Sequence, residues 1–179
     1  MVDTGSSLRK RLRILVLMLL GYSTLALAGI EDGPRHAGHP DWMDPGIVDL
    51  ESELETVRDE GMTGIMVLFT TQGCTYCAEF INRSLGDPTL QQRLRENFVT
   101  IGLEIFDDTL MTAPDGSEMS IKQFAEAQGA GMAPTLLFFG PDGERTLRAV
   151  GYQSPERFDL ILDYLIEEAN QSVSFRDFA

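Results

Sequence analysis

The sequence predicts an α/β domain in which a mixed central sheet carries helices on both faces. Short apolar runs bounded by turn signals read as buried strands, and they alternate with longer segments whose apolar residues recur every three or four positions. The order is helix, strand, helix, strand, helix, strand, strand, helix. Early strands separated by helices are expected to run parallel and buried, while the last two, joined only by Pro141-Asp-Gly143, must be antiparallel. The third observation is chemical. The only two cysteines, Cys74 and Cys77, stand two residues apart where the first strand gives way to a helix.

The first 28 residues fall outside that pattern. Arg9, Lys10, Arg11 and Arg13 form a basic start, Ile14 to Leu20 is an apolar run, and Ala26-Leu27-Ala28 places small residues where a signal peptidase reads. Residues 1–28 are thus expected to be a signal peptide, whose removal would leave no stable membrane insertion. The rival, a retained anchor, is short for a span of about 20 residues and is interrupted by Gly21, Tyr22, Ser23 and Thr24. Export places both cysteines where disulfides persist, and a periplasmic location is expected.

Residues 29–46 are rich in glycine and proline and read as an irregular, solvated extension or a first edge strand. His36 and His39, near Trp42 and Met43, raise a copper or zinc site, but no thiol or carboxylate is placed to complete one. From Ile47 the patterns become regular, and a single domain is expected over residues 47–170. Ile47, Leu50, Leu54 and Val57 fit one helix face ending at Gly61. Ile65 to Phe69 is the first strand, followed by the cysteine helix. Asp87-Pro88 caps and starts another helix, and Phe98 to Ile105 is a second strand.

The polar stretch Phe106 to Met119 is an insertion candidate whose Ala113-Pro-Asp-Gly116 fits the tip of a small hairpin. Ser120 and Gln123 match a capping box for the helix ending near Gly129. Gly129 to Pro134 leads tightly into the strand Thr135 to Phe139. Arg145 to Gly151 is the last strand. Ser154-Pro155 opens a helix with Phe158, Ile161, Leu162, Leu165 and Ile166 inward, and residues 171–179 remain as a tail.

The cysteine spacing carries the chemistry. Unpaired N–H groups and the positive dipole end at a helix start favour an anion, so Cys74 is pushed from a free-thiol pKa of about 8.5 toward the range of about 3.5 to 7.5. Two intervening residues, Thr75 and Tyr76, let the sulfurs close a small disulfide ring. Cys74, nearer the helix start, would attack a partner disulfide, and Cys77, one turn deeper, would resolve the mixed disulfide. Two blander readings compete. A structural disulfide gains little from so short a loop, and a zinc site lacks a second ligand pair. Pro134 adds a second feature, because an X-Pro bond pays only about 0.5 to 1 kcal/mol to be cis and can hold a tight turn facing the sulfurs.

With these features the chain resembles the thioredoxin superfamily from residue 47 to about 169. The resemblance rests on the CxxC pair at a strand-to-helix junction and on Met132-Ala133-Pro134-Thr135, similar to that family's cis-proline loop. It is most similar to exported thioredoxin-like proteins of the SoxW type, and Tyr76 beside the second cysteine is similar to the periplasmic disulfide isomerases. The resemblance implies a thioredoxin-like fold and thiol-disulfide oxidoreductase activity, with protein thiols and disulfides as partners and a membrane electron-transfer protein as the source of reducing equivalents. Cys74 and Cys77 would be catalytic, with Thr75, Tyr76, Ala133 and Pro134 lining the client groove and the backbone of Ala133 pairing with the client chain.

No bound cofactor or metal is expected, since the electron pair resides on the sulfurs. Two departures matter. Gly73 stands where ordinary thioredoxins carry tryptophan, and Leu68 stands where they bury an aspartate, which removes a proton acceptor for Cys77 and favours a dedicated partner. The alternatives are a binding or chaperone module that kept the fold, or a copper metallochaperone. Charge constrains partners further. The chain carries a net −14 over 179 residues, and the leader's +3 puts the remainder near −17. Such a chain does not hold nucleic acid through its phosphates.

Overall fold

The computed structural model describes residues 38–43 and 46–179, so the expected signal peptide and His36 lie outside the described residues. A four-stranded sheet organises the rest: β1 (Gly64–Thr70), β2 (Phe98–Glu104), β5 (Thr135–Phe139) and β6 (Arg145–Val150), in the order β2-β1-β5-β6. β3 (Leu110–Thr112) and β4 (Glu118–Ser120) form a separate hairpin with its turn at Ala113 to Gly116. The helices are α1 (Leu50–Glu60), α2 (Thr75–Arg83), α3 (Pro88–Asn97), α4 (Ile121–Ala127), α5 (Pro155–Ile166) and the short α6 (Phe175–Phe178).

β1 is central and every one of its residues is buried, which is why it reads as a continuous apolar run rather than an alternation. Ile65, Val67 and Phe69 face one core, filled by Leu54 and Val57 of α1 and by Phe124 of α4. Met66 and Leu68 face a second core with Phe80 of α2, Leu90 and Leu94 of α3, and Phe158 and Leu162 of α5. Helices therefore cover both faces.

The starts of the helices follow from their caps. Asp49 Oδ1 accepts the Ser52 N–H, Asp87 accepts those of Thr89 and Leu90, and Ser120 and Gln123 exchange both bonds of a capping box. Arg93 of α3 ties the second helical layer together by pairing with Asp159 and Asp163 of α5.

Four expectations change. Ile47 lies before α1 and is 83% exposed, because the Asp49 cap starts the helix later and Val48 takes the buried position. The third main strand, β5, is antiparallel to β1, although a helix precedes it. The cause is length. Seven residues of α4 advance only about 10 Å, too little to return the chain to the far end of the sheet. Residues 38–43 are not a solvated arm: Met43 is 1% exposed in the second core, and Arg95 of α3 stacks on Trp42. The end of the chain also folds back, with Phe175 and Phe178 each 5.2 Å from the Tyr164 ring.

Candidate active site

β1 ends at Thr70, and the chain turns through Thr71 to Gly73 before α2 begins. The Cys74 N–H bonds the Thr71 carbonyl, which closes this turn tightly enough that Gly73 sits at φ +75°. A side chain there would meet no atom, but the left-handed backbone disfavours one. The glycine in place of the family's tryptophan therefore has a local backbone reason.

Cys74 is the N-cap of α2. Its Sγ accepts the Cys77 N–H at 3.1 Å, and its carbonyl accepts the Ala78 N–H. The sulfur thus occupies the place that a serine or aspartate oxygen takes at other helix starts. Cys74 and Cys77 are joined as a disulfide with Cα atoms 5.3 Å apart. The two sulfurs are unequally placed. Cys74 is half-buried, whereas Cys77 is 3% exposed and lies on the inner face of α2 one turn before Phe80. Thr75 and Tyr76 project to solvent, Tyr76 with 64% of its surface open.

A shallow depression of about 530 Å³ borders both cysteines and is lined by Thr71, Gly73, Ala78, Ile81 and, from the N-terminal segment, Gly38. None of the described residues lining it carries a charge.

Antiparallel pairing of Phe69 with Thr135 sets the loop before β5 at the sheet end that carries the cysteine turn. In that loop the Ala133–Pro134 peptide bond is cis, and the Thr135 hydroxyl donates to the Met132 carbonyl at 2.6 Å. The Pro134 carbonyl accepts the Gly151 N–H, which anchors the loop to the end of β6. Pro134 is buried, Ala133 half-buried and Met132 66% exposed. The loop is not part of the depression, so the pair is bordered on one side by α2 and Gly38, with the Pro134 loop at the same sheet end.

Four residues at the sheet end that leads into the cysteine turn, Thr70, His39, Gly102 and Glu104, are absent from the sequence reading of the redox site. Thr70 is fully buried, and its Oγ1 lies 3.0 Å from His39 Nε2. The imidazole lies against Gly102 of β2, where any Cβ would collide with the ring. Glu104, two residues further along the same strand, has Oε2 buried with no hydrogen-bond partner. An isolated glycine in a strand marks a close approach, so Gly102 was the available signal. Its partner His39, some sixty residues earlier in an irregular segment, was not. Among the described residues no group of three or more His, Cys, Asp or Glu could hold a metal ion, and none of their helices is long and apolar enough to cross a membrane.

A thioredoxin-like domain model matches residues 50–166. The structure is similar to a thioredoxin-fold protein from Helicobacter pylori, with a TM-score of 0.56 at 18% identity over 64% of this chain and 80% of that one. It is also similar to a thioredoxin from Thermus thermophilus, with a TM-score of 0.51 at 22% identity over 67% and 87%. No curated protein sequence matches the chain. At these identities the likeness to solved structures speaks to the fold, and the matched domain, covering well over half of the residues, speaks to descent: the chain belongs to the thioredoxin-like family.

Proposed function

We propose that the protein is an exported thiol-disulfide oxidoreductase that reduces protein disulfides in the periplasm, in the manner of the SoxW type. The observation that carries this reading is the cap geometry of Cys74. A sulfur that already accepts a backbone N–H at a helix start is stabilised as the thiolate once the disulfide is reduced, and the thiolate is the nucleophile.

In the forward step the Cys74 thiolate attacks one sulfur of a client disulfide. The S–S bond of the client breaks, the released client sulfur takes a proton, and a mixed disulfide remains on Cys74. Cys77, after losing its proton, attacks the Cys74 sulfur, forms the Cys74–Cys77 bond and releases the second client thiolate. Two electrons pass from the pair to the client. The different burial of the two sulfurs supports this division, since only Cys74 is open to a macromolecular disulfide. Ala133 and Pro134 would shape the client groove together with Thr75 and Tyr76, and the exposed Tyr76 and Met132 would offer it apolar contact. The pair would be returned to the dithiol by a membrane electron-transfer partner. The basic start, apolar run and Ala26-Leu27-Ala28 of the sequence support export.

Insulin reduction by the paired variants tests the reading. Cys74→Ser is expected to abolish turnover, and Cys77→Ser to accumulate mixed disulfides on Cys74. Full turnover in either variant rejects the mechanism.

A further inference from the structure

Resolution of the mixed disulfide requires the buried Cys77 to lose a proton, and the face of β1 on that side of the sheet reads Met66, Leu68, Thr70, with no carboxylate. The N-terminal segment brings a titratable group to the same side of the sheet. Gly38 borders the depression beside Cys74 and Cys77, and the next residue turns inward, laying its ring on Gly102 and its Nε2 on Thr70. Thr70 follows Leu68 by two positions on the same side of β1 and precedes Cys74 by four. We propose that His39 is a positioning residue for the redox pair, exchanging the proton of Cys77 through the Thr70 hydroxyl. This rests on the thiol-disulfide reading above.

The chemistry balances simply. With the ring neutral and Nε2 unprotonated, the Thr70 hydroxyl donates to Nε2 while its oxygen accepts from the Cys77 thiol, directly or across a water. The Cys77 S–H bond breaks, the proton passes to the imidazole, and the Cys77 thiolate attacks Cys74 Sγ. The bond from Cys74 to the client sulfur breaks, and the imidazolium returns its proton to solvent or to the leaving thiolate. No outside oxidant or reductant enters, because the client disulfide takes the electron pair.

Histidine suits the task because its ordinary pKa of about 6.5 lets it take and release a proton near neutrality. Gly102 makes room for it, and burial of Thr70 keeps the relay away from bulk water. Among the described residues, β1 carries no charged group, the start of α2 carries the two cysteines while Glu79 and Arg83 further along it pair with each other, α3 contributes Arg95 stacked on Trp42, and the segment itself carries the exposed Asp41. β2 contributes Glu104, whose carboxylate stands on the same side as Gly102 and would favour the imidazolium. Glu104 is therefore the rival acceptor.

The test is single-turnover oxidation of the reduced full chain by oxidised glutathione, quenched with acid and read by mass, so that formation and resolution of the Cys74–glutathione adduct are timed separately from pH 5 to 8. His39→Gln keeps a hydrogen-bonding side chain but cannot titrate in this range. It is expected to slow resolution about ten-fold or more near pH 7, leave adduct formation unchanged, and convert a profile that levels off into one that climbs with hydroxide throughout. Thr70→Val, which leaves the ring on Gly102, is expected to give the same profile, and the double variant to be no slower than either single one. Parent-like resolution and pH profile in both variants overturn the proposal, as does a profile altered by Glu104→Gln and not by His39→Gln. A parent that forms no adduct overturns the thiol-disulfide reading as well, whereas a normal parent with unaltered variants overturns only the role of His39.

Discussion

The two sides of β1 are built alike until the last residue. On the side of α1 and α4, Ile65, Val67 and Phe69 are wholly buried, and Phe69 packs 6.2 Å from the Phe124 ring. On the side of α2, α3 and α5 the sequence is Met66, Leu68, Thr70, so an equally buried face closes on a hydroxyl that meets an imidazole. One side is arranged for stability alone. The other gives up apolar packing at the one point where the chain turns into the cysteine helix, beside the disulfide-bonded pair.

The comparison can be broken most severely on the apolar side. Phe69→Ala removes a large ring from a close-packed core and is expected to cost about 3 to 5 kcal/mol in denaturant unfolding. The redox chemistry of the fraction still folded should be unchanged. Loss of that chemistry without loss of stability would dissolve the distinction between the sides. Next in size is Arg93→Ala, which leaves Asp159 and Asp163 of α5 without their shared cation while the apolar contact between α3 and α5 remains. The pair of carboxylates, together with hydrogen bonding, raises the Arg93 pKa above its ordinary value even though burial works against it. As these partners are partly exposed, the loss should be near 1 kcal/mol in the same measurement.

Gly73→Ala places a Cβ on a left-handed backbone and is expected to lower stability by about 1 kcal/mol, with the unfolding midpoint as readout. An unchanged midpoint would mean that the cysteine turn is not held in that conformation. The smallest effect sharpens the contrast from the insertion. At the hairpin tip the Ser117 hydroxyl and backbone N–H both donate to Asp115, which lowers its carboxyl below the ordinary 3.8. A lowered folded-state pKa stabilises above the unfolded value and is lost as pH falls through the folded one. Asp115→Asn should therefore lower stability slightly at pH 7, with the difference shrinking as pH falls below the ordinary carboxylate range, followed by acid titration of the midpoint.

Much of this architecture was legible in the sequence because it depends on neighbours along the chain. The caps at Asp87 and Ser120, the apolar β1 and the cysteine pair at its end are local signals, and each lies where its pattern places it. The direction of β5 was not legible, since it depends on how far α4 travels rather than on which residues it contains. The packing of Gly38 to Met43 was hidden for a related reason. Glycine and proline break periodicity, so the only trace of this contact is an unexplained glycine at 102 on a different element. Ile47 was misplaced by one apolar residue, because Val48 fits the same inward position once Asp49 sets the cap.

The account stands or falls on the state of one sulfur. Ultraviolet titration of thiolate absorbance in the reduced chain, with Cys77→Ser to isolate the first cysteine, reads it directly. A Cys74 that ionises well below the free-thiol value of about 8.5, in the range of about 3.5 to 7.5, agrees with a helix-start nucleophile. A Cys74 that titrates like a free thiol would contradict it.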